Sequence, residues 1–129
     1  MKFNIAVVTI LLMAGTISVF AHHSQTLFDT TKTVTYEGTV TRVSWSNPHT
    51  YFYIDAATMV GDSATTVERL GIEGPGPTSL EKNFGWAKDT LKIGDKITVT
   101  GNPRKDGKPN LLLTGVTLPS GKKLTAKPE

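Results

Sequence analysis

The hydrophobic positions of this chain change rhythm once, close to residue 21. Before that point, Ile5 to Phe20 is an uncharged run carrying Ile5, Val7, Val8, Ile10, Leu11, Leu12, Met13, Ile17 and Val19. After it, apolar residues alternate in short bursts separated by glycine, proline and asparagine, the rhythm of strands. From Thr33 onward Val34, Tyr36 and Val40 share one parity, whereas Val43 and Trp45 share the other. A long first strand whose inward face switches parity implies a bulge, and Gly38 lies within it. Asn47-Pro48 breaks the run. From His49 to Ala57 the second strand alternates cleanly: Thr50, Phe52, Ile54 and Ala56 fall on one side, His49, Tyr51, Tyr53 and Asp55 on the other.

Gly61-Asp62-Ser63-Ala64 predicts a turn, and Thr65 to Glu73 a third strand with Leu70 and Ile72 on one face. Gly74-Pro75-Gly76-Pro77 should stop it. Thr78-Ser79-Leu80-Glu81 has the spacing of a capping box and predicts a short helix from Ser79 to Asn83, with Phe84 and Trp86 placed to close one end of a barrel. A fourth strand follows from Lys96 to Gly101, then a basic hairpin tip from Asn102 to Asn110 with its turn at Asp106-Gly107. Leu111 to Leu118 makes a fifth strand, and a short last one lies around Lys123-Leu124. Three strands, a helix and then further strands describe an all-β fold, a small Greek-key barrel of the OB type. An open sandwich has similar strand spacing, but the helix between strands three and four favours the barrel.

The chain has 129 residues and a net charge of +3. Its basic start, apolar middle and small exit residue Ala21 form a secretory signal over residues 1–21. The uncharged run is shorter than the ~20 residues an uncleaved membrane anchor needs. Removal of the signal would leave an arm over 22–32, pinned by Leu27 and Phe28, a barrel domain over 33–125 and a fraying tail over 126–129. The expected location is the periplasm or the outside of the cell, with no transmembrane span after cleavage. Without Lys2 the charge falls to +2, too little and too dispersed for a nucleic-acid partner. There is no cysteine, so disulfides, thiolate metal sites and thiol nucleophiles are excluded.

Chemistry concentrates in the three histidines. Cleavage after Ala21 would give His22 a free α-amine beside its imidazole, two nitrogens in chelating reach, and His23 adds another ring. Amine and imidazole nitrogens suit Cu(II). If His49 folds over the arm, His22, His23 and His49 would form a copper site like the histidine brace of proteins that begin with histidine. The bland alternative makes His22-His23 a polar tail and His49 a strand-start residue. Around His49, Trp45, Asn47, Tyr51 and Tyr53 supply aromatic and amide groups for a shallow ligand face, or simply cross-strand pairs on an exposed sheet. Asp55 lies six residues along the strand, ~20 Å from His49, too far to orient it. Asp29, Glu37, Asp62, Glu73 and Asp95 form no catalytic pair, and no Gly-x-Ser-x-Gly occurs. A binding protein for a metal ion, a protein or a small molecule is therefore favoured over an enzyme.

Several segments together carry a resemblance. They are Ala21-His22-His23-Ser24, Phe28-Asp29, Val40 to His49 with its Trp45-Ser46-Asn47-Pro48-His49, Leu91-Lys92-Ile93-Gly94-Asp95, Val99-Thr100-Gly101 and Val116 to Gly121. The chain resembles a domain-of-unknown-function family of small exported bacterial proteins. The resemblance implies export, a compact β-barrel and a recurrent pattern joining His22, His23 and His49. It implies no activity. The departure is Gly71-Ile72-Glu73, where the family would carry a tryptophan-containing strand.

Overall fold

The computed structural model describes residues 26–60 and 64–127. Among the described residues six strands make one sheet: β1 (Val34–Ser44), β2 (His49–Val60), β3 (Ala64–Pro75), β4 (Lys96–Pro103), β5 (Asn110–Thr117) and β6 (Lys123–Thr125). Their order is β3-β2-β1-β4-β5-β6, and β3 pairs again with β5. That second pairing, the one parallel contact among the described strands, closes the first five into a barrel. A single short helix, α1 (Pro77–Phe84), lies between β3 and β4. The architecture is the expected OB-type Greek-key barrel.

Closure depends on β1, which serves two partners. Val34 to Thr39 pair with β4, while Gly38 to Ser44 pair with β2. The register slips between Val40 and Arg42, so the expected bulge exists and moves the inward face from Val40 to Val43. Gly38 serves a different end: a Cβ there would lie 2.8 Å from the carbonyl oxygen of Asp55, so the residue lets β2 cross close to the bend.

The alternation of β2 holds. Thr50, Phe52, Ile54 and Ala56 are buried, and the last three meet Val40, Ile72, Val99, Leu111 and Leu113 in one core. Leu80 from α1 and Trp86 behind it plug one end, with Trp86 Nε1 donating to the carbonyl of Thr125 at 2.9 Å. The helix differs from the capping-box expectation. Its N-cap is Gly76, no side chain caps it, and Pro77 opens the first turn, which places Thr78 and Glu81 inside the helix. Proline's fixed φ suits a first helical position, so the helix starts two residues early. Gly85 ends it in the left-handed conformation, φ 72.

Other boundaries move: β4 runs on to Pro103, and β5 starts at Asn110 and ends at Thr117. β3 continues through Gly74 to Pro75, because β2 pairs with it as far as His49↔Pro75. β2 runs on to Val60, and the turn expected over Gly61-Asp62-Ser63 lies outside the described residues. Ala126, expected to fray, is buried and donates its amide to the Thr114 carbonyl at 3.1 Å. Among the described residues no helix is long and apolar enough to cross a membrane.

Candidate functional site

β3 and β5 run together for three register pairs, Gly71↔Asn110, Ile72↔Leu111 and Glu73↔Leu112. Past Glu73 they share no further pair, β3 turning towards α1 and β5 continuing beside β4 and β6. A cleft of about 690 Å³ opens where they part. Its wall includes Phe84, Leu112, Leu113 and Ala126, and Pro48, His49, Glu73, Asn102, Thr30 and Ser79 also line it. Gly74 admits Leu113 to this wall, since a Cβ on it would sit 3.2 Å from Leu113 Cδ2.

Four polar side chains converge at the seam side. Register sets Tyr51 opposite Glu73 on the outward face of β2 and β3. Glu73 is only 6% exposed. His49 Nδ1 lies 3.8 Å from Glu73 Oε1, and the Tyr51 hydroxyl donates to the same carboxylate. Burial, then that hydrogen bond and the negative charge behind it, push the Tyr51 phenol far above its ordinary value of 10. Arg104, expected as part of a solvated tip, folds inward with its side chain 17% exposed. Its fork is committed to Asp106, Nε to Oδ1 at 2.9 Å and Nη2 to Oδ2 at 2.6 Å. The paired arginine holds the Asp106 carboxyl well below the usual carboxylate range.

The arm reaches this same region. Phe28, 2% exposed, bridges Arg104 in antiparallel fashion with the guanidinium 6.0 Å from its ring centre. Asp29 donates its amide to the Pro103 carbonyl, Lys105 donates to that of Leu27, and Asn102 Nδ2 to that of Lys32 at 2.6 Å. Phe28 thus pins the arm as expected, while Leu27 stays half exposed.

The sequence-derived candidates separate. Tyr51 and Tyr53 share the outward face, and the ring of Tyr53 lies over Gly71, its Cε1 3.3 Å from where a Cβ would stand. Trp45 turns the other way and packs against the core. Asn47 leans on the β3–α1 corner, its Oδ1 3.0 Å from the position of a Gly76 Cβ. Asp55, set aside as a partner for His49, instead pairs with Arg69 at 2.9 Å. His49 lines the cleft, whereas His22 and His23 lie outside the described residues. Among the described residues no three His, Cys, Asp or Glu side chains come together as a metal-holding group. Glu73 has no short-range signature as a site residue, because cross-strand register and not sequence neighbourhood gives it Tyr51 as a partner.

A sequence model of the family of unknown function DUF6152 matches residues 9–113. The chain belongs to this family. None of the curated proteins matches it, and none of the solved structures does. The match to DUF6152 includes His49, Glu73, Asn102 and the cleft wall as far as Leu113, but the family brings no activity with it.

Proposed function

We propose that this DUF6152 protein is an exported binding module, working in the periplasm or outside the cell, that holds a copper ion for carriage, buffering or delivery. The ligands would be the α-amine and imidazole of His22 with His23 and His49. The observation that carries the reading is His49 at the cleft wall with Nδ1 facing the buried Glu73 carboxylate. A carboxylate behind one ring nitrogen is the usual companion of a metal-ligating histidine, since it orients the ring and leaves Nε2 for the metal. The docked arm lends support: Thr30 lines the cleft together with His49. His23 stands three residues before Thr26, a reach of ~10 Å at full extension. Amine and imidazole donors, with no thiolate in the chain, favour Cu(II) over softer preferences.

A second reading, a metal-free interaction module for a protein or small ligand, is favoured by Tyr51 and Tyr53 lying together on the outward face. The test is a Cu(II) titration of protein exported and processed in a bacterial periplasm, its first residue checked by mass spectrometry. Sub-micromolar one-to-one binding, lost on N-terminal extension and weakened by His49→Ala, is the expected result. Equal weak binding in all three forms would leave only the tyrosine face.

A further inference from the structure

Glu73 is a buried acid with acceptor capacity to spare. The side chain is almost wholly buried, and a buried carboxylate is costly unless its charge and lone pairs are met. Tyr51 supplies one hydrogen bond. An ionised carboxylate offers about four acceptor sites. His49 Nδ1, at 3.8 Å, stands beyond hydrogen-bond length. Arg104 offsets part of that charge from a distance, its Nε and Nη2 being directed at Asp106. Glu73 also lines a cleft that Phe84, Leu112, Leu113 and Ala126 share.

We propose that the cleft takes a small organic cation, an ammonium group on an apolar stem, with the ammonium on Glu73 and the stem along Phe84, Leu112, Leu113 and Ala126. The volume of about 690 Å³ falls within the range of small-molecule sites. Charge decides against an anion: the buried ionisable group is acidic, and Lys127 is an exposed lysine at the rim. Ammonium is the complementary donor, since it offers hydrogens and no lone pair to an acceptor-only partner. Apolar burial holds the stem but does not discriminate between head groups, so selectivity rests on Glu73. This site shares Glu73 and the cleft with the copper reading but uses neither His22 nor His23 and needs no metal, so a titration with chelator present tests it apart from that reading.

The experiment is a calorimetric and NMR titration of the exported, processed protein, with a chelator present throughout, using n-hexylammonium, n-hexanol and n-hexanoate. Hexylammonium should bind at least about tenfold more tightly than hexanol, the scale of one charge-assisted contact, and hexanoate most weakly. Glu73→Gln should erase the preference for ammonium over alcohol, whereas Phe84→Ala should weaken all three probes alike. If Glu73→Gln fails to fold, chemical-shift changes in the wild-type protein decide, and they must centre on Glu73, Leu112 and Leu113. No preference for ammonium, a preference surviving Glu73→Gln, or shifts centred elsewhere would overturn the proposal.

Discussion

Glu73 lies between Ile72, which faces the core, and Gly74, which makes room for Leu113, and its own side chain turns outward to be covered by Tyr51 and His49. Tyr51 carries the measurable mark of that arrangement. Its raised folded pKa means that the neutral phenol is the form the fold prefers. The associated stability is fully present below the unfolded value of ~10 and is lost as pH climbs from there towards the folded value. In an ultraviolet titration, the absorbance step that Tyr51→Phe removes should therefore lie above pH 10; a step at or below 10 would mean that Glu73 and Tyr51 do not meet. Gly38 marks a second residue-level constraint. Adding a methyl group there drives it against the Asp55 backbone oxygen, which no rotamer change relieves. Gly38→Ala should cost about 1–3 kcal/mol in denaturant unfolding, as overpacking does. A neutral Gly38→Ala would show that the bend relaxes freely.

Elements whose pattern is local were legible in the sequence. The alternation of Thr50, Phe52, Ile54 and Ala56 fixes the inward face of β2, and the parity change between Val40 and Val43 locates the bulge. Elements whose limits depend on a distant partner were not. β3 passes through Gly74-Pro75 because β2 is there to pair with it, and Arg104 leaves solvent where Phe28, far back in the chain, bridges it. The same holds for the candidate site. His49 could be picked from its isolation beside Pro48, but the register that brings Glu73 to Tyr51 has no short-range signature. The arm is the element most exposed to test. Phe28 is its one buried anchor among the described residues that precede β1, so Phe28→Ala should cost about 3–5 kcal/mol if the arm is part of the cooperative fold. The amides of Asp29 and Lys105, which bond across this junction, should then exchange faster with solvent. Unchanged exchange would show that the backbone bonds alone hold the arm.

On the scale of the whole molecule, two carboxylates couple the fold to acid. Asp29 is lowered by the hydroxyl and amide of Thr31, and Asp106 by Arg104, both from an ordinary 3.8. For a depressed carboxylate the stabilising difference exists above the unfolded pKa and disappears as pH falls through the folded one. The thermal midpoint should hold level from about pH 7 to 5 and decline below about 4, with a shallower decline in Asp106→Asn. Parallel curves for the two proteins would remove the Arg104–Asp106 pair from the account. The ring itself is closed unevenly. β2 and β3 share twelve register pairs, whereas the seam of β3 and β5 has three. A ring with one short clasp behaves mechanically like a split washer, in which relaxation concentrates at the gap. The Gly71 amide, bonded to the Pro109 carbonyl at 3.0 Å across that gap, should report a partial opening well before the Phe52 amide reports global unfolding. Because the cleft begins where the clasp ends, anything seated against Glu73 would also act as a wedge holding the ring shut.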